Sequence, residues 1–170
     1  MAAELHQRLH FDTAHGQVLD GPRRYVLMRA DVLMGLFAQL PAPAREEALK
    51  ALGRSVCAHG GDSVRAYAAQ GGAEALPAMM QSAAASLGWG RWQLERDGDA
   101  LQLAVDNSPF AAAAAEGPAC HAIAGMLEAL AGALWQRPAQ AHETHCAAAH
   151  GDGPCRFIAR PADAHPLSST

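Results

Sequence analysis

Residues 89–107 read WGRWQLERDGDALQLAVDN. Trp92 and Leu94 alternate with Arg91, Gln93 and Glu95. Beyond Asp97-Gly98-Asp99, the residues Leu101, Leu103 and Val105 alternate with Gln102 and Ala104. A period of two with a central turn signal predicts an antiparallel hairpin, apolar on one face only. A sheet of that kind needs helices on its apolar face.

The flanking segments supply them. Upstream, GQVLDGPRRYVLMR (residues 16–29) reads as a second hairpin around Asp20-Gly21-Pro22. A helix is expected after it, with Asp31 as N-cap and a stripe of Leu33, Leu36, Phe37 and Leu40. Residues 41–72 read as one long helix, or two broken at Gly60-Gly61, with Leu49, Leu52, Val56 and Cys57 on its apolar side. Residues 73–88 predict another helix closed by Gly88. Downstream, Ser108-Pro109 has the pattern of a helix start leading into FAAAAAEG. PACHAIAGMLEALAGALWQR (residues 118–137) is an amphipathic helix stopped by Pro138. Its Ile123, Met126, Leu127, Leu130 and Leu134 line one side, and Gly125, Ala129 and Gly132 leave another side small. Two further strands are expected around 139–146 and 155–160, joined by Gly151-Asp152-Gly153-Pro154. The order predicts an α+β fold with an antiparallel sheet, not a doubly wound parallel one.

The chain has 170 residues, half of them hydrophobic and 18% charged, which suits one globular domain with a substantial core. The expected division is an N-terminal extension over 1–15, a single domain over 16–161 and a flexible tail over 162–170. Net charge is −4 and Lys and Arg form no cluster, so the electrostatic footprint of nucleic-acid binding is missing. Neither a signal-peptide core nor an apolar run of membrane-spanning length is seen. A cytoplasmic protein without membrane partners is expected. Its Cys57, Cys120, Cys146 and Cys155 then read as ligands or core thiols rather than disulfides.

AHETHCAAAHGDGPCRF (residues 141–157) concentrates the ligating chemistry. Cys146 and Cys155 flank a loop of turn formers that returns the chain, and Cys120 opens the preceding helix, where the helix dipole favours a thiolate. Three thiolates make most of a tetrahedral zinc site. Glu143, His142, His145 and His150 compete for the fourth position. In a regular strand residues 142, 144 and 146 share a face, so parity alone favours His142. Buried cysteines also serve as small hydrophobes, which is the competing reading.

The motifs taken in order are a Pro-x-Cys at Pro118 to Cys120 opening a Gly/Ala-rich helix, then Arg137-Pro138. Glu-x-x-Cys follows at Glu143 to Cys146, and Gly-Asp-x-x-Cys-x-Phe ends at Phe157. This arrangement, with the upstream DNSPFAA, resembles the 4-vinyl reductase domain family. The same domain forms the sensory module of phenol- and xylene-responsive bacterial activators. The resemblance is strong over about residues 105–160 and weaker upstream. It implies a structural zinc held by Cys120, Glu143, Cys146 and Cys155, and so a bulge or strand end near Thr144. It implies the antiparallel sheet and helices shared by nitric-oxide-signalling and Golgi-transport ligand-binding proteins. It also implies a homodimer.

The resemblance further implies a sensory domain that binds a hydrophobic or aromatic small molecule. The histidine and tryptophan that hold a phenol hydroxyl in those sensors are not retained: MMQSAAASLG carries no histidine, and Val105 stands near the tryptophan position. The expected pocket is apolar, drawn from Met34, Phe37, Met79, Met80, Ala84, Trp89, Trp92 and Val105. Residue by residue, simple core packing is the competing reading for these side chains. The alternative function is a component or accessory of bacteriochlorophyll 4-vinyl reduction, or tetrapyrrole binding. No GxGxxG loop and no other nicotinamide or flavin signature is present, and no residue reads as catalytic.

Overall fold

A computed structural model describes residues 5–111 and 117–162. The chain begins with α1 (Leu5–Arg8) and a three-stranded antiparallel sheet of β1 (His10–Asp12), β2 (Gln17–Asp20) and β3 (Arg23–Tyr25). Helices α2 (Ala30–Ala38) and α3 (Ala42–Ser55), a π turn (Val56–Gly60) and α4 (Gly61–Ser86) follow. Next come β4 (Arg91–Asp97), β5 (Ala100–Asp106), α5 (His121–Trp135), β6 (Ala139–His145), α6 (Ala147–His150) and β7 (Cys155–Pro161). The second sheet has the order β4-β5-β7-β6 and is antiparallel throughout. The α+β architecture expected from the sequence is therefore the one observed.

The alternation in residues 89–107 produces the sheet as predicted. Trp92 pairs with Val105, which pairs with Cys155, and Leu94, Leu103, Phe157 and Glu143 form the next row. These rows face the helices: α4 contacts β4, and α5 contacts β6 and β7. Arg91, Gln93, Glu95, Gln102 and Arg156 are exposed on the opposite face. Ile123, Leu127, Leu130, Leu103 and Phe157 are buried to within 2% and form the centre of the core. Leu5 is buried in the same core.

Several local expectations change. Arg29, not Asp31, occupies the N-cap of α2, and its guanidinium pairs with the Asp31 carboxylate in the first turn. That helix buries Met34 and Phe37, whereas Leu36 is exposed. Gly60 and Gly61 do not break the helix, because both are right-handed helical. A Cβ on Gly60 would lie 2.6 Å from Met126 Cε, so the glycine serves packing rather than termination. The break falls at Gly72, whose φ of 75° is open to glycine at little cost. Gly88 does close α4, with φ of 74°. The loop between β6 and β7 contains α6 in addition to the predicted turn. Most of the helix expected from Ser108-Pro109 falls on residues 112–116, outside the described residues, as does most of the expected tail.

The small side of α5 packs on α3. A Cβ on Gly125 would sit 2.1 Å from the Gly53 carbonyl oxygen, and one on Gly53 would sit 2.6 Å from the His121 carbonyl oxygen. Two backbones thus touch where two glycines meet, and this contact sets how closely α5 can lie between α3 and the sheet. Gly125→Ala is expected to cost about 2 kcal/mol through overpacking, a fall in Tm of about 6 °C. Gly35→Ala on α2, where an added Cβ meets nothing within 4 Å, should leave Tm unchanged or raise it. Thermal melting of the two variants checks both signs.

Candidate metal centre and ligand cavity

Cys120, Glu143, Cys146 and Cys155 converge at the start of α5. One ligand atom from each lies within 4.8 Å of the others, a group able to hold a metal ion. Three elements bring them together. Cys120 is the N-cap residue of α5, Cys155 opens β7, and Cys146 caps α6 immediately after β6.

Glu143 joins them because β6 is irregular. Its pairing with β7 runs Glu143 to Phe157 and then His145 to Arg156, skipping Thr144. A bulge of this kind places an extra residue in one strand and reverses the parity beyond it. Glu143 therefore faces inward beside Phe157, and Cys146 also turns inward. His142, which parity had favoured, pairs with Ile158 and is exposed. The imidazoles of His145 and His150 stack at 4.3 Å, with nitrogens 3.1 Å from the Asp152 carbonyl and 2.8 Å from the Cys146 carbonyl. They brace the α6 turn rather than face the thiols.

The Glu143 carboxylate bridges the sheet to the helix. Its Oε2 accepts the backbone N–H groups of Ala119 and Cys120, at 2.9 and 3.0 Å. These donors stand at a helix start, where the dipole favours a negative charge. Its Oε1 is buried and has no hydrogen-bond partner. A buried carboxylate oxygen left unpaired is costly, and a metal ion would satisfy it.

Cys120 Sγ lies 3.8 Å from Cys155 Sγ and 3.2 Å from Ser108 Oγ. Contrary to the helix-dipole expectation, the Cys120 thiol is pushed up. It donates to Cys155, it is buried, and the Glu143 carboxylate opposes a second charge. That donated hydrogen bond holds Cys155 down at about 7, helped by the Ala147 N–H at 3.4 Å. Burial raises Cys146. Without metal, Cys155 is therefore the thiolate of the group.

A second feature lies on the same side of the sheet. A cavity of about 260 Å³ opens between the π turn, α4 and β4. Of the expected pocket residues, Met80, Ala84, Trp89 and Trp92 line it. Met34, Phe37 and Val105 are buried in the core, and Met79 packs beside it, all outside this cavity's walls. Leu5, Tyr25, Tyr67, Leu87 and Met126 complete the walls, with the π-turn residues Val56, His59 and Gly60. Sequence periodicity pointed to the α4–β4 side of the cavity and missed the π turn, which departs from the α period. The Trp89 ring meets Phe110 edge-on at 5.1 Å.

Residues 101–161 match the vinyl-4-reductase (V-4-R) domain. The match covers β5 to β7 and contains all four converging residues, so the family resemblance seen in the motifs holds there. No curated protein matches the chain. Among solved structures, the phenol-responsive sensory domain of the transcription activator PoxR, crystallised with phenol, aligns with a TM-score of 0.77 and 17% identity. The alignment covers 95% of this chain and 89% of that one. A trafficking protein particle complex subunit 3 from Naegleria fowleri, covalently bound to palmitic acid, aligns with a TM-score of 0.54 and 11% identity, covering 79% and 95%. A vinyl-4-reductase family protein from Methanocaldococcus jannaschii aligns with a TM-score of 0.53 and 12% identity, covering 82% and 98%. At these identities the likeness is one of fold. Among the described residues no helix is long and apolar enough to cross a membrane.

The Glu143 bridge should contribute to stability even without metal. In chelator, Glu143→Ala is expected to cost about 2 kcal/mol by stranding two N–H groups. Glu143→Gln, which keeps an acceptor oxygen, should cost less. Urea denaturation of the two variants tests this ordering.

Proposed function

We propose that this chain is a small-molecule-binding sensory domain, with an apolar cavity for a hydrophobic or aromatic ligand and a structural zinc that pins the β6–β7 hairpin to α5. The observation that carries the reading is the pairing of a largely apolar cavity with a nearby four-residue metal group on one sheet of the vinyl-4-reductase type. The likeness to a phenol-responsive sensory domain over nearly the whole chain supports it. Residues 16–161 are taken as the binding unit, with Leu5 of the N-terminal extension reaching the cavity wall.

Zinc is the metal that the donors favour. Three thiolate sulfurs and one carboxylate oxygen are soft to borderline ligands. A tetrahedral site with Zn–S bonds of about 2.3 Å has S–S edges of about 3.8 Å, the separation found between Cys120 and Cys155. Four protein ligands fill the coordination shell, so the ion would serve structure rather than hydrolysis. Binding it requires the thiols to ionise, which releases protons and couples metal affinity to pH.

The cavity suits a ligand of about one ring. Benzene fills an apolar cavity of roughly 150 Å³, and about 260 Å³ leaves space for a few further atoms. A tetrapyrrole is several times larger than benzene, so the cavity volume favours the sensory reading over vinyl reduction.

A homodimer is part of the same proposal. Val26, Leu27 and Met28, with Val32 and Leu36 on α2, are each more than half exposed, and they follow one another along the β3–α2 segment. So much adjacent apolar surface is unusual for a monomer. A second copy of this chain is the proposed cover.

Purified protein should carry about one zinc per chain by elemental analysis, and Cys155→Ser should lose it. A wild-type protein without metal would end the zinc reading. A panel of one-ring apolar compounds at 100 times Kd should stabilise the fold by about 2.7 kcal/mol, read as a rise in Tm. Sedimentation velocity should give a dimer for the wild type and a monomer for a Leu27→Glu, Leu36→Glu double variant.

A further inference from the structure

The cavity's two sides differ in chemistry. Met80, Ala84, Leu87, Trp89 and Trp92 bring carbon-rich surface from the second half of α4 and from β4. The facing helical segment brings Ser55, His59 and Ser63, with Tyr25 from β3 beside them. Ser55, His59 and Ser63 are four residues apart, a spacing that stacks side chains along one face of a helix.

The backbone is unusual where these residues lie. Val56–Gly60 is a π turn, set between α3 and α4 without interrupting them. Such turns insert a residue into a helix and re-aim the side chains around it. Here His59 and Gly60 both meet the cavity. Gly60 also makes room for Met126, whose side chain lines the cavity from α5.

These polar groups have no other use within the fold. Among the described residues, the side chains of Ser55, His59, Ser63 and Tyr25 make no hydrogen bond or ion pair. Tyr67, on the same wall, differs: its hydroxyl accepts from Arg8, which is held in turn by Asp20. Burial raises Tyr25, which keeps its phenol protonated and able to donate.

We propose that Ser55, His59, Ser63 and Tyr25 form a polar subsite, and that the ligand is a one-ring molecule bearing a single uncharged hydroxyl or carbonyl group. This rests on the reading of the cavity as a small-molecule site. The ring lies against Trp89, Trp92 and Met80. The polar group meets the serine–histidine face, where hydroxyls and imidazole both donate and accept. An uncharged group fits because the nearby charges are already paired, Asp62 with Arg65 and Asp20 with Arg8.

Toluene and benzyl alcohol, which differ by one hydroxyl, test this by calorimetric titration of the full chain. A plain apolar cavity favours toluene, because burying an unpaired hydroxyl is costly. The subsite reverses that order, with benzyl alcohol expected to bind about 10-fold tighter. His59→Leu, and Ser55→Ala combined with Ser63→Ala, should erase the preference while toluene affinity stays within about 2-fold. Circular dichroism confirms that the variants fold. Tighter binding of toluene by the wild type, or a preference that survives all the substitutions, overturns the subsite and leaves the small-molecule reading standing. Binding of neither probe overturns both.

Discussion

The Glu143 carboxylate, held by two backbone N–H groups at the start of α5, is the contact on which the arrangement of the second sheet and its covering helix depends. Strand β6 is the edge of that sheet, paired only with β7. An edge strand is ordinarily the least constrained part of a sheet. Here it is tied to the helix end by a charge that the helix dipole favours. Glu128 adds a second tie further along, accepting the Ala141 N–H from within α5. The strand is thus pinned to one helix at two points.

That pinning makes the metal group possible. Because Glu143 must face inward and Cys146 must follow it inward, β6 carries a bulge between them, at Thr144. The bulge costs a regular ladder position, and the four ligating atoms gather in return. The orphaned Oε1 and the shared proton between Cys120 and Cys155 are two signs of one condition: more negative donors than the fold alone can neutralise. A divalent cation resolves both.

The cavity belongs to the other end of the same row. Cys155, Val105 and Trp92 pair across three adjacent strands, so one line of residues runs from the metal group to the cavity wall. Phe110 links them a second way, touching Trp89 while Ser108, two residues earlier, contacts Cys120. A rigid metal-bound end gives the cavity a fixed floor, and the helices above it, with a π turn and a break at Gly72, are the less regular part. Selective binding is well served by one rigid wall and one adaptable wall.

The sequence by itself determined the elements whose residues repeat with a clear period. The alternation around Trp92 and Val105 specified the central hairpin, and the apolar stripe of residues 118–137 specified α5. The Cys and Glu motifs, through their family resemblance, named the metal group. Only the tertiary structure decided the rest. Parity favoured His142 over Glu143, because a bulge is a compromise between two partners and leaves no mark in one strand's pattern. Gly60-Gly61 resembled a helix break, because a glycine selected for close packing against Met126 looks the same as one selected for a turn. The π turn brought His59 to the cavity against the α-helical period, and Met34, Phe37 and Val105 went to the core. Periodicity records which face of an element is buried. It does not record against which partner, and that choice separates a core residue from one that lines a binding site.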